Sequence, residues 1–201
     1  MVIKKRSDMK ISNSHRVALS LLLLAALGMA VLAGSAMAAG GNLVKNGSFE
    51  KDSNGDGLPN GWVYGQNIAP GDKRVCNQSH SGACSFKMIG DANYKWIYQD
   101  IATAGLQDDI FDFTAWVKGK EIVYGSGGVI RLAVEFHHTG GGSNVAQGDD
   151  ISSAGTTPWT LHTLSGAPAS EDFDSITVYL AFQADSGKLW FDKVKLVPAA
   201  D

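Results

Sequence analysis

"FDFTAWVKG", Phe111 to Gly119, alternates apolar and polar residues along its whole length. Phe111, Phe113, Ala115 and Val117 share one parity, and Thr114, Trp116 and Lys118 share the other. Side chains of a strand point alternately to opposite faces, so this stretch is a β-strand with one apolar face. "GVIRLAVEFHH" repeats the pattern, with Ile130, Leu132, Val134 and Phe136 against Arg131, Glu135 and His137. "DSITVYLAFQ" does so again, with Ile176, Val178, Leu180 and Phe182 against Thr177, Tyr179 and Gln183. "SFKMIG", "YKWIYQDI", "PWTLHTL" and "KLWFDKVKLV" read as further strands. Gly-rich and Asp-rich stretches at 105–109, 125–128, 140–142 and 167–172 separate them. No amphipathic helix and no fixed-period repeat interrupts the series. Eight or more strands with polar loops predict an all-β fold, an antiparallel two-sheet β-sandwich of the jelly-roll kind.

The first 38 residues read differently. Lys4, Lys5, Arg6, Lys10 and Arg16 precede an apolar run from Val17 to Ala33, and Ala36-Met37-Ala38 follows. Basic head, apolar centre and small-x-small end are the marks of a signal peptide, with cleavage expected after Ala38. Met9 is an alternative start, and an uncleaved membrane anchor is the rival reading of the apolar run. Residues 39–201 then form a single secreted domain, large enough to bury a core. Removing five basic and one acidic residue with the leader leaves 12 basic and 19 acidic groups, a net charge of about −7. That balance excludes binding driven by a nucleic-acid backbone. Cys76 and Cys84 are the only cysteines, and export favours their oxidation to a disulfide.

Seven segments occur in an order that resembles a known family. They are "NLVKNGSFE" (42–50), "GLPNGW" (57–62), "SHSGACSFKM" (79–88), "YQDI" (98–101), "FTAWVKG" (113–119), "PWTLHTL" (158–164) and "LWFDKVKLV" (189–197). Together they resemble the cellulase-C-like carbohydrate-binding modules, the galactose-binding-like group of families four, nine, sixteen and twenty-two. The resemblance implies a two-sheet sandwich with sugar on the concave sheet or at the loop rim. It also implies a structural calcium held by Glu50 and Asp192 from the first and last strands. Cys76 and Cys84 flank the segment that matches the family's His-Ser-Gly turn, here His80-Ser81-Gly82, where a bridge across a hairpin is sensible.

A second calcium candidate stands in "KDSNGDGLPNGW", Lys51 to Trp62. Asp52, Asn54 and Asp56 alternate ahead of Gly57 in the manner of a calcium loop, but the twelfth position is Val63 rather than a bidentate carboxylate. A sensor loop is therefore excluded. A smaller calcium loop and a polar Asx-turn both remain open.

Sugar rings present apolar C–H faces that flat aromatic rings match, while amides, carboxylates and guanidinium groups engage the hydroxyls. The polar parities of the three long strands offer such a mixture: Trp116, Arg131, Glu135, His137, Tyr179 and Gln183. "YKWIYQDI" adds either Trp96 and Tyr98 or Gln99, since alternation does not give both. His137 and His138 point to opposite faces and do not share a metal ion. Catalysis is not expected: the paired-carboxylate spacing of a glycosidase is lacking, and only Glu135, with Asp100 or Asp112, offers even a candidate pair. The expected function is a monomeric, secreted, non-catalytic polysaccharide-binding module. A structural or adhesive surface protein on the same fold is the alternative, with a small glycoside hydrolase behind it.

Overall fold

The computed structural model describes residues 41–150 and 153–200; the expected leader, residues 1–38, lies outside the described residues. Ten strands run in chain order: β1 (Val63–Tyr64), β2 (Lys73–Val75), β3 (Ser85–Ile89), β4 (Lys95–Ile101), β5 (Ile110–Val123), β6 (Val129–His138), β7 (Ser143–Asp150), β8 (Gly155–Pro168), β9 (Phe173–Gln183) and β10 (Ser186–Pro198). They form two antiparallel five-stranded sheets. One has the order β1-β4-β9-β6-β7 and the other β2-β3-β10-β5-β8. From β3 onward the chain changes sheet at every connection except the β6–β7 hairpin, the wrapping of a jelly roll.

The expected parities hold on β5, β6 and β9. Phe111, Phe113, Phe136, Phe182 and Val178 are all fully buried between the sheets. Phe136 packs edge-on against Phe173 at 5.2 Å and tilted against Phe111 at 5.5 Å, joining the two layers. Offset and edge contacts of this kind suit the aromatic quadrupole and add to the area buried. Trp62 is also buried, 5.3 Å from Phe49, so it belongs to the core and not to an open face.

Four elements depart from expectation, of which β1 and β2 are strands of only two and three residues that the sequence reading did not include. β7, "SNVAQGDD", was not legible as a strand because it is a mostly polar edge with almost no apolar face. β8 continues through Ala167 and Pro168, which the sequence assigned to a turn; Ile110 pairs with Pro168 at its end. Proline is tolerated there because β8 is the edge of its sheet.

β4 is inverted in polarity. Lys95, Ile97, Gln99 and Ile101 point inward, whereas Trp96, Tyr98 and Asp100 point out. The buried Lys95 ammonium donates to Asp72 Oδ2 (3.0 Å), Asp91 Oδ2 (2.8 Å) and the Ile89 carbonyl (2.9 Å). All three of its protons are thereby used. Asp72 is buried too, and also accepts the Ala69 and Ile89 amides. The knot ties the loop before β2 to the end of β3 and the start of β4.

The two ends of the described domain lie side by side. The Leu43 amide donates to the Leu196 carbonyl at 2.9 Å, and Asn42 Oδ1 accepts the Leu196 amide at 3.0 Å.

His162 is buried on β8, with its Nδ1 3.1 Å from Asp150 Oδ2 and its Nε2 3.4 Å from Ser153 Oγ. Burial pushes the imidazole below its ordinary pKa, and the Asp150 charge opposes this only in part. The folded protein therefore binds fewer protons here than the unfolded chain. Stability from this group is present above pH about 6.5 and is lost as pH falls below it. Urea titrations at pH 7 and pH 5 should show the loss, and a His162→Gln variant should show a flatter profile. An unchanged slope in that variant would count against the assignment.

Candidate glycan-binding face

The outer face of the β1-β4-β9-β6-β7 sheet carries an open cleft of about 560 Å³. Trp96, Tyr98, Asp100, His137, Ser175, Thr177 and Tyr179 line it. Strand pairing explains the gathering. Tyr98 is opposite Tyr179, Asp100 is opposite Thr177, and Thr177 is opposite Glu135. Neighbouring side chains across a sheet stand close enough to touch. The Tyr98 and Tyr179 rings accordingly lie 6.0 Å apart. Trp96 seats on Gly65: a Cβ at that glycine would lie 2.1 Å from the indole Nε1, so no larger residue fits without moving the ring.

Behind the rings runs a fixed polar network. Tyr179 donates to Glu135 Oε2 at 2.5 Å, and Ser143 donates to Glu135 Oε1 at 2.7 Å. Burial raises the Glu135 carboxyl, but these two donors outweigh it and hold the group below its usual range. Tyr179 is pushed well up, by burial first and by its hydrogen bond to Glu135 second. Thr177 donates to Asp100 Oδ1 at 2.7 Å, which leaves its oxygen to accept from His137 Nε2 at 2.8 Å. That chain assigns the proton of His137 to Nε2.

The nine predicted ligand residues divide. Trp96, Tyr98, His137 and Tyr179 line the cleft, and Glu135 braces it. Arg131 is on the same face but is clamped by Asp149 (2.5 and 2.7 Å) and lies 5.5 Å over the Tyr94 ring. Gln183 is at the far end of β9 and donates to the Ala92 carbonyl. Gln99 points inward and pairs through both amide atoms with the Lys45 backbone, which settles the β4 alternative in favour of Trp96 and Tyr98. Trp116 must be removed from the group. β5 belongs to the other sheet, so its polar face looks the opposite way. There Trp116 stacks on His80 at 3.8 Å. Asp100, Ser175 and Thr177 were not singled out as ligands. The parity of "YKWIYQDI" places Asp100 with Trp96 and Tyr98, and was the signal for it.

Glu50 and Asp192 converge on one turn. His80 and Ser81 donate amides to Asp192 Oδ2 (2.7 and 3.0 Å), and Ala83 and Cys84 donate to Glu50 Oε1 (2.9 and 3.2 Å). Gly82 is required at the centre, because a Cβ there would sit 2.2 Å from Glu50 Oε1. Asp192 is fully buried, and burial pushes its carboxyl above the usual range. Among the described residues it has no ion-pair partner. Two carboxylates without an ion-pair partner among the described residues are hard oxygen ligands of the kind that a hard cation takes, and each also accepts backbone amides. No group of three or more ligating side chains occurs among the described residues, so backbone carbonyls would complete the shell. Those of Phe49 and Glu50 accept from Arg74.

The Asp52–Asp56 loop is self-contained. Asp52 accepts the Gly55 and Gly57 amides, and Asp56 accepts from Leu58 and from the Asn54 side chain. These are the hydrogen bonds of an Asx-turn. Cys76 and Cys84 are joined in a disulfide, which closes the turn that receives Asp192.

No protein-family model and no curated protein matches the chain. Solved structures do. A family-16 carbohydrate-binding module is 19% identical with a TM-score of 0.56, over 78% of this chain and 99% of that one. The fold is that of a carbohydrate-binding-module β-sandwich. A family-61 module solved with β-1,4-galactotriose is 15% identical with a TM-score of 0.53, over 80% and 100% of the two chains. The xylan-binding domain of a Paenibacillus barcinonensis protein is 18% identical with a TM-score of 0.51, over 81% and 98%. Identities this low speak to the fold alone.

Ser153, His162 and Asp150 have the order of a hydrolytic triad. Ser153 is 1% exposed and His162 5%, so no substrate reaches them.

Proposed function

We propose that the domain is a non-catalytic polysaccharide-binding module that uses the outer face of the β1-β4-β9-β6-β7 sheet. One observation carries the reading: three part-exposed rings, Trp96, Tyr98 and Tyr179, line a single open cleft alongside fixed hydroxyl and carboxylate groups. On β4 the rings face out while a lysine and a glutamine are buried, the reverse of what folding alone favours. Affinity is modest, since sugar hydroxyls give up water and a flexible chain must be ordered. Tyr98→Ala and Tyr179→Ala should each weaken binding by roughly 1–2 kcal/mol while leaving the melting temperature nearly unchanged. Calorimetry against cellulose, xylan, mannan, β-glucan and chitin oligomers tests this. Failure of all five would favour the surface-adhesion role.

The protein is further proposed to be exported and to hold a structural calcium with Glu50 and Asp192. The ion would supply positive charge to the buried Asp192 and fasten Glu50, which lies ahead of β1 and not on the first strand as expected, to β10. Binding to the folded state alone stabilises by RT ln(1 + [L]/Kd), about 2.7 kcal/mol at a hundredfold excess. Chelator should lower the melting temperature, added calcium should restore it, and Asp192→Asn should abolish the response. A response that survives in Asp192→Asn would place the ion elsewhere.

A further inference from the structure

The charge of the cleft remains unused by the sugar-stacking argument. Asp100, Thr177 and Glu135 occupy one row across β4, β9 and β6. The two carboxylate-bearing strands flank β9, so their axes are about 10 Å apart. Neither carboxylate forms an ion pair among the described residues. Their donors are neutral: Thr177 for Asp100, and Tyr179 and Ser143 for Glu135. The cation nearest in the sheet, Arg131, is consumed by a two-bond clamp to Asp149. Lys95 of β4 points into the core. His137 faces the cleft, and its Nε2 is committed to Thr177. The aromatic cleft therefore holds two carboxylates without an ion-pair partner among the described residues, on either side of one threonine, with His137 the basic group that acts on Glu135, on a domain that is itself acidic.

We infer that the cleft selects its glycan by charge: it rejects chains of uronic acids and prefers chains that carry free amino groups, a hexosamine polymer in its deacetylated form. This rests on the glycan-binding reading of the same face. A protonated amine over Thr177 meets Asp100 on one side and Glu135 on the other, and the rings take the sugar's C–H faces. An anionic chain meets repulsion from both carboxylates and finds no free guanidinium to receive it.

The test is calorimetry at about pH 6, above the ordinary carboxylate range, with four hexamers: glucosamine, N-acetylglucosamine, glucose in β-1,4 linkage, and galacturonate. The expected result is that the glucosamine hexamer binds about tenfold tighter than its acetylated form, and that galacturonate does not bind. Asp100→Asn and Glu135→Gln should each shrink that advantage, as should raising the salt. Tyr98→Ala should weaken all ligands alike. Equal affinity for the amine and acetyl hexamers overturns the charge selection and leaves the glycan reading intact. Amine binding undiminished in Tyr98→Ala overturns it as well, by showing attraction to the acidic surface at large. If no hexamer binds, the glycan reading falls with it.

Discussion

Replacing Lys95 with alanine should destabilise the domain by about 3–5 kcal/mol, because it strands a buried carboxylate. Lys95 and Asp72 are both fully buried in side chain, and the ammonium has three acceptors. Removing it leaves Asp72 with its charge and no partner cation inside the protein. Asp91, part-exposed, recovers water more readily. The effect should be local in origin and global in outcome, since the knot joins three successive segments of the chain. Lys95→Met fills the space without the charge and should lose nearly as much. Adding Asp72→Asn to Lys95→Met should recover part of the loss, because the charge is gone and the amide oxygen keeps one of the two backbone amides that Asp72 accepts. Urea denaturation of the three variants measures this. A loss under about 1 kcal/mol for Lys95→Ala would mean that water enters and solvates Asp72.

The second large effect concerns the turn beneath Asp192. Protein recovered from the culture medium should begin at Ala39 and carry Cys76 and Cys84 bridged. Changing both cysteines to serine should cost about 2.5 kcal/mol from loop-closure entropy alone. The loss should be larger in practice, because the bridged turn presents the His80 and Ser81 amides to a buried carboxylate. When that turn loosens, Asp192 loses donors that offset its burial. Reducing agent should therefore act on the wild type as the double substitution does. Full-length protein retained in membranes, or thiols that alkylate without reduction, would contradict the prediction.

The alternation of β5, β6 and β9 was legible because each has an unbroken apolar face. What it did not convey was which sheet each strand joins. Trp116 and Arg131 have equivalent parities on their own strands, yet they look in opposite directions because crossovers send β5 and β6 to different layers. Sheet membership is a long-range property, decided by packing partners far away in the chain. β4 shows the same limit from another side. Its period of two was readable, but its inward face is the one with the lysine. That choice depends on Asp72, Asp91 and the Lys45 backbone, none of which local hydrophobicity reports. The outward rings of Trp96 and Tyr98 are the observation on which the proposed glycan face rests. β7 was hidden for the ordinary reason that an edge strand must be polar to avoid pairing with other chains. The acidic loop at Asp52 reads two ways because Asx-turns and calcium loops draw on the same residues.

The neighbouring ends of the domain have a mechanical consequence. Leu43 and Leu196 are joined directly by a backbone hydrogen bond, and the Asn42 side chain adds bonds to Val194 and Leu196. A pull on the two ends is therefore met first by these contacts, and it reaches the sheet bearing Trp96, Tyr98 and Tyr179 through Lys45, whose backbone is bonded to Gln99 of β4.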